Sequence, residues 1–338
     1  MESKVAVVIL NWNGENMLRR FLPGIITHTK GKVYVADNHS DDDSLKLLAD
    51  EFPSVPTIVL DKNYGFAEGY NKALSQVDAD YYVLLNSDIE VEDDWLTPLV
   101  DYMDAHPEIA ACQPKIRSFH NKQYFEYAGA AGGYIDKLGY PFCRGRIFDS
   151  VEKDEGQYDA IRSVFWATGA AMMVRRDVYF AVGGLDGRFF AHMEEIDLCW
   201  RMRSRGYGIV CVPASKVYHV GGGTLPKENP HKTFLNFRNN LYMLYKNLPE
   251  TELKLVLRQR YWLDILAAFV FLLKGEVRSF RAVFAAHREF DRTKSDFLLS
   301  RQENMLRTNG NDIPEILKGS ILWAYHIKRK KHYSQLQE

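Results

Sequence analysis

The chain has 338 residues, 46% of them apolar and 26% charged, and a formal net charge of −1. A chain of this length buries a substantial core, its composition is that of an ordinary folded protein, and no nucleic-acid partner is expected. The charge is unevenly placed: from Glu250 onward 16 Lys and Arg face 11 Asp and Glu, and before it 27 face 33. An acidic front and a basic tail suggest separate tasks, the tail lying near an anionic surface or presenting a solvated helical face. Cys112, Cys143, Cys199 and Cys211 show neither metal-type nor redox-type spacing, which predicts a reduced, cytoplasmic protein. Met1-Glu-Ser-Lys leads directly into an apolar strand, so no signal peptide is expected.

In chain order, strand-like runs at residues 5–10, 32–36, 57–60 and 81–85 alternate with helical stretches at 15–28, 44–52, 67–76 and 95–105. Strands separated by single helices predict an α/β sandwich with a mainly parallel sheet. Ligands of such sheets bind beyond the carboxyl ends of the strands. The residues there are Asn11-Trp12-Asn13-Gly14, Asp37-Asn38-His39-Ser40, Asp61-Lys62-Asn63-Tyr64-Gly65 and Asn86-Ser87-Asp88. Every group is polar, so this edge is expected to be a site. With no Gly-x-Gly-x-x-Gly after the first strand and no Walker-type Gly-Lys-Ser/Thr, a dinucleotide-binding fold and a P-loop enzyme are excluded. Residues 109–156, rich in Gly and aromatics, predict irregular or hairpin structure. A helix over 194–205 closed by Gly206, short strands over 208–212 and 216–219, and helices from Phe234 onward complete the pattern.

Asn86 and Asp88 alternate on an extended segment and so face one bound group. A hard divalent cation takes carboxylate oxygen and keeps waters and substrate phosphates, and His219 is the best available partner for Asp88; otherwise Asp88 caps a following helix and His219 is a satisfied core residue. Glu194, Glu195 and Asp197 crowd a helix start, where the dipole favours them and Asp197 can pair with Arg201. As a general base, one of these carboxylates needs burial or a like-charged neighbour to raise its pKa. Asp37 and Asn38 suit a base or ribose, or simply a turn. The stretch Asn63 to Asn71 sets amides and glycines at a helix start, which suits a phosphate or ribose.

Together these residues resemble a family-2 glycosyltransferase with the GT-A fold, most like bacterial rhamnosyltransferases that build surface polysaccharides. The resemblance rests on eight ordered motifs: Val8-Ile-Leu-Asn-Trp-Asn13, Asp37-Asn-His-Ser-Asp-Asp42, Asn63-Tyr-Gly-Phe-Ala-Glu-Gly-Tyr-Asn71, Leu85-Asn-Ser-Asp88, Gly169-Ala-Ala-Met-Met-Val-Arg175, Gly183-Gly-Leu-Asp-Gly-Arg-Phe-Phe190, Glu194-Glu-Ile-Asp-Leu-Cys-Trp-Arg201 and Val217-Tyr-His219. It implies inverting transfer from a UDP- or dTDP-linked sugar, dTDP-rhamnose among them, to a glycan or lipid-linked acceptor. Asn11, Asn13, Asp37, Asn38, Asn63, Gly65, Asn71, Asn86 and Ser87 would hold the donor. Asp88 and His219 would hold Mg²⁺ or Mn²⁺, with Asn86 standing where the family has Asp. Glu195 matches the base, usually Asp, with Glu194 as its rival and Asp197 orienting the helix or acceptor. The implied organisation is a GT-A domain over 1–245, divided at 110 into nucleotide and acceptor halves, and a basic helical extension over 246–338.

The longest apolar run, residues 261–273, carries Asp264 and stops at Lys274-Gly275, short of the ~20 residues a spanning helix needs. The extension is therefore expected either to lie on the inner face of the membrane or to pack on the catalytic domain or a second copy. The rivals to a glycosyltransferase are a nucleotidyltransferase, which the missing Gly-rich basic signature disfavours, and a non-catalytic sugar-nucleotide-binding protein.

Overall fold

The computed structural model describes residues 4–221, 229–310 and 312–336. Strands Val5–Asn11 (β1), Lys32–Asp37 (β2), Thr57–Val59 (β3) and Tyr81–Leu85 (β4) alternate with helices Glu15–His28 (α1), Ser44–Glu51 (α2) and Gly65–Leu74 (α3). They pair in the parallel order β3-β2-β1-β4. β1 and β4 read as continuous apolar runs because helices cover both faces. Ala6, Val8, Tyr82 and Leu84 enter one apolar cluster with α3, while Val5, Val7, Tyr81 and Val83 enter another with α1 and α2. Each fully buried aliphatic side chain contributes about 1.5–3 kcal/mol, and a one-residue slip would exchange the two faces. The register is fixed accordingly: Asn11 lies beside Asp37 and Ile9 beside Leu85, so the polar strand ends emerge together.

Beyond β4 the structure departs from the sequence reading. Asp88 is followed not by a helix but by Ile89–Val91 (β5), then Thr97–Ala105 (α4) and the ten-residue strand Ile109–Ser118 (β6). Four short strands follow, Gly133–Asp136 (β7), Pro141–Cys143 (β8), Arg146–Ile147 (β9) and Ser150–Val151 (β10). Next come Arg162–Ser163 (β11), Ala171–Arg175 (β12), Arg176–Ala181 (α5), Glu194–Ser204 (α6) and Gly208–His219 (β13). The large sheet runs β11-β13-β6-β12-β4-β1-β2-β3, with β5 also paired to β13. It is more mixed than the pattern predicts, since β12 lies antiparallel between β4 and β6, and β11 and β5 lie antiparallel to β13. The apolar pattern hides β6 because Gln113, Pro114 and Lys115 interrupt it. Inside the fold Gln113 donates to the carbonyls of Pro114 and Gly129, and buried Lys115 meets Asp154 and Asp159. The two short strands expected over 208–219 are one strand, with a bulge between Val212 and Lys216.

Helices Pro230–Asn247 (α7), Glu250–Leu273 (α8), Val277–Thr293 (α9) and Leu298–Arg307 (α10) precede a last strand, Ile316–Leu317 (β14). The division expected at 245–246 falls inside α7, and the apolar core continues across it: Leu253, Val256, Phe290 and Phe297 share one cluster with Phe142, Phe189 and Leu244. β14 joins β7 in a second sheet of five strands. Two cations of the basic tail are interior, Arg260 against Asp264 and Arg301 against the carbonyls of Tyr245 and Leu248. Among the described residues no helix is long and apolar enough to cross a membrane.

Candidate active site

The ends of β1 and β2 close into a buried polar network. Asp37 is wholly buried; its Oδ2 accepts from Asn11 Nδ2 at 3.1 Å and Ser40 Oγ at 2.6 Å, and its Oδ1 from Ser40 N–H at 2.9 Å. Exposed Asn13, left-handed at φ 51°, donates its N–H to Ser40 Oγ and accepts from Asp41 N–H. Ser40 is thus the hub, a role its place in the motif does not reveal. Asn11 Oδ1 is buried without a partner among the described residues. A Cβ on Gly14 would sit 2.3 Å from that oxygen and 3.6 Å from Ser87 Oγ, so glycine lets the β1 end close on the β4 end. Asn38 braces the next loop, donating to Asn63 Oδ1 and the Gly65 carbonyl and accepting from Tyr64 N–H.

At the end of β4, Asn86 N–H donates to the Ala170 carbonyl at 2.9 Å, and its Nδ2 lies 3.3 Å from His219 Nε2. Asp88 is buried, with Oδ1 3.1 Å from the same His219 nitrogen and Oδ2 accepting from Gly221 N–H at 3.2 Å. Burial alone would raise the Asp88 carboxyl, but the hydrogen bond and charge of His219 hold it below the usual range. Burial likewise pulls His219 down, yet Asp88 and Glu126 outweigh it and lift the imidazole to about 10. Glu126 is the residue that sequence reading misses. It is buried, accepts from Ala128 N–H and sets Oε1 3.4 Å from His219 Nδ1, an ion-pair contact rather than an aligned hydrogen bond. Nothing in its aromatic and glycine-rich surroundings announces it. Asp88 therefore caps no helix, and His219 is buried between two carboxylates. Gly222 and Gly223, which follow in the same glycine run, lie outside the described residues.

The donor set fits a divalent cation in one way. Among the described residues no group of three His, Cys, Asp or Glu side chains is arranged to hold a metal ion. One carboxylate oxygen and one imidazole nitrogen, which must give up its proton to ligate, offer two ligands, leaving the other positions to phosphates and water, as hard cations at diphosphates require.

Glu194 and Glu195 open α6, and each keeps an Oε2 buried without a hydrogen-bond partner among the described residues. Burial pushes the Glu195 carboxyl up to about 7; Glu194, more deeply buried and beside Glu195, is pushed well above the ordinary carboxylate value. The two carboxyls are coupled, and both keep their protons to higher pH than an ordinary carboxylate. A Cβ on Gly169 would lie 3.8 Å from the Glu195 Cβ, and the next residue, Ala170, accepts the Asn86 N–H. Gly169 and Ala170 therefore lie between the base of the Glu195 side chain and Asn86. The turn into α6 is left-handed at Phe190, His192 and Met193, with φ of 66°, 72° and 72°. Buried Asn239 on α7 holds it by donating to the carbonyls of Phe189, Ala191 and His192.

Three expected site residues serve the framework instead. Asp197 is wholly buried, accepting from Arg201, Lys246 and Asn247, so it anchors α6 to α7. Asn71 donates to the Leu185 carbonyl and accepts from Tyr179 Oη and Leu185 N–H, which fixes α3 to the Gly184 turn. Gly65 N–H meets Asn63 Oδ1, and the next two N–H groups of α3 meet the Phe190 carbonyl, so this helix start already has its acceptors. Gly65 is left-handed at φ 71°, and a Cβ there would sit 2.7 Å from the Phe190 oxygen.

Residues 6–179 match the model of glycosyl transferase family 2. The chain belongs to that family. The matched span holds Asn11, Asp37 and Asp88 and ends before α6. This family-2 chain is 28% identical over 236 residues to the N-acetylglucosaminyl-diphospho-decaprenol L-rhamnosyltransferase of Mycobacterium tuberculosis, covering 65% of this chain and 76% of that protein. It is 25% identical over 227 residues to the rhamnosyltransferase WbbL of Escherichia coli, covering 64% and 83%. Its fold is that of the mannosyltransferase PcManGT from Pyrobaculum calidifontis, solved with GDP-Man and Mn²⁺, with a TM-score of 0.51, 15% identity and coverage of 91% of this chain and 84% of that one.

Proposed function

We propose that this family-2 glycosyltransferase moves a sugar, with inversion, from a UDP- or dTDP-linked donor to a hydroxyl of a glycan or lipid-linked acceptor in surface polysaccharide synthesis. L-Rhamnose is the first candidate, on the strength of the two rhamnosyltransferase relatives. The mycobacterial relative is named for a decaprenol-diphosphate sugar acceptor, and a polyprenyl-linked sugar is the acceptor class proposed here.

The observation that carries this reading is the Glu194–Glu195 pair, its Glu195 carboxyl raised to about 7, across Gly169 and Ala170 from Asn86. A base poised near the working pH is most effective in proton transfer. Glu195 would take the acceptor proton, with Glu194 beside it raising its basicity as a like-charged neighbour. Asp37, with Asn11 and Ser40, would form the nucleobase end, and Asn86 would meet a ribose hydroxyl. Asp88 and His219 would hold Mg²⁺ or Mn²⁺, which when bound supplies positive charge to the departing diphosphate. Attack from the face opposite the leaving group then inverts the anomeric carbon.

The test is release of nucleoside diphosphate from UDP-, dTDP- and GDP-sugars with a polyprenyl-diphosphate sugar acceptor, with Mn²⁺ and with chelator. Release from one donor with Mn²⁺ and its loss with chelator are expected. Donor binding without release would leave a sugar-nucleotide-binding protein, and release of pyrophosphate from a nucleoside triphosphate would make it a nucleotidyltransferase.

A further inference from the structure

The solvent side of α8 is apolar but for exposed Gln259, where a helix of a soluble surface would be polar. Leu255, Trp262, Leu266, Phe269 and Leu273 fall within roughly 40° of one line at 3.6 residues per turn, a stripe about 27 Å long. They are exposed, Trp262 at 65%, Leu266 at 62% and Leu273 at 88%. The opposite side, Leu253, Val256 and Ala268, is buried. The stripe is thus a second apolar face, separate from the one that packs on the core.

Charge decides what covers it. Lys254, Arg258, Lys274, Arg278 and Arg281 are exposed on α8, its turn and the start of α9. No ion pair among the described residues involves any of the five. Arg258 stands one turn before Trp262, and Lys274 and Arg278 flank the Gly275 turn beside Leu273. After Glu252 the one carboxylate on α8 is Asp264, which is wholly buried against Arg260 and His287. A two-fold contact of this face with its own copy would set these cations against each other. A bilayer surface with anionic headgroups matches both parts, the Trp, Leu and Phe in the acyl boundary and the cations at the phosphates.

We infer that the α8–α9 hairpin docks the enzyme on an anionic membrane surface through the Leu255–Leu273 stripe and its flanking cations. This binding stands apart from the transfer reaction and needs no substrate.

The experiment is sedimentation of the full-length chain with phosphatidylcholine vesicles, with and without phosphatidylglycerol, at low and high salt. The chain is expected to pellet with phosphatidylglycerol at low salt and to leave at high salt. Leu266→Glu with Leu273→Glu is expected to weaken binding at least about tenfold, and Lys274→Glu with Arg278→Glu to remove the dependence on phosphatidylglycerol. Unchanged thermal melting of both variants separates this from misfolding. Wild-type chain left in the supernatant, or charged-stripe variants that bind as wild type, would overturn the inference. So would a wild-type dimer in analytical ultracentrifugation that Leu266→Glu with Leu273→Glu turns into a monomer.

Discussion

Glu195 is held in an environment that raises its pKa from the ordinary carboxylate range to about 7, with burial as the leading cause. The folded chain therefore keeps this proton at pH values where the unfolded chain has released it. The group's contribution to stability is greatest in acid and declines as pH rises toward and through 7. Glu195→Gln removes the charged form, so it should melt at or above the wild-type temperature at pH 8 while losing turnover by about 10²–10⁴-fold. Calorimetry at pH 5 and pH 8 checks this, and a variant less stable than wild type at pH 8 would mean that Glu195 is not strained by its site. Glu126 offers a second test at this scale. A carboxylate behind a metal-ligating imidazole orients it, and losing such a group weakens metal binding about 10–100-fold. Glu126→Ala is expected to weaken Mn²⁺ binding by that factor in an electron paramagnetic resonance titration, with Glu126→Gln closer to wild type. Wild-type affinity in Glu126→Ala would reduce Glu126 to a packing residue.

The loop into α6 is the element that sets the site. Three left-handed residues that are not glycine cost about 1–3 kcal/mol each, and Asn239 holds the turn through three carbonyls. Asn239→Ala takes the donor from the Ala191 and His192 carbonyls, while that of Phe189 keeps the Ala191 N–H and Arg238, and should cost about 2–3 kcal/mol of stability. Turnover should fall at least tenfold with donor affinity nearly unchanged, because the turn carries Glu194 and Glu195 and not the nucleotide network. Steady-state kinetics beside donor binding tells the two apart; loss of donor affinity with turnover preserved would place the turn in the nucleotide site. The same scale explains what the sequence could not show. β1 to β4 were legible because both faces are apolar and single helices separate them. β6 was not, since its buried Gln113 and Lys115 read as surface until their partners, Gly129 and Asp154, are brought across the fold. Asp88, His219 and the glutamate pair were singled out as candidates by the ordered motifs taken together, not by any one of them. Glu126, Asn239 and Lys246 act over long sequence separations, and no local pattern marks them.

Across the whole molecule, the tail is part of the core. Lys246 is buried between Asp186 and Asp197 at 2.7 Å from each, and Leu253, Val256 and Phe297 complete the cluster around Leu244. A chain ending at residue 245 would take Lys246 from both aspartates, leaving Asp186 only Arg188 and Asp197 only Arg201, and would bare that cluster. Such a chain is expected to be insoluble or to lack a cooperative melt; a soluble, cooperatively folding fragment would make the tail an independent unit. The acidic front and basic tail are thus one structure, whose surplus cations gather around α8.

The central claim is that Glu195 acts as a base beside the strand end that carries Asp88. It is tested most directly by the pH dependence of nucleoside diphosphate release, as kcat/KM, in wild type, Glu194→Gln and Glu195→Gln. Wild type should gain activity as pH rises through about 7. Glu194→Gln, which leaves Glu195 in place, should keep an ionisation limb, and Glu195→Gln should lose the limb together with the activity. A limb that survives in Glu195→Gln and vanishes in Glu194→Gln would give the base to the other carboxylate, and one that survives in both would remove the pair from the chemistry.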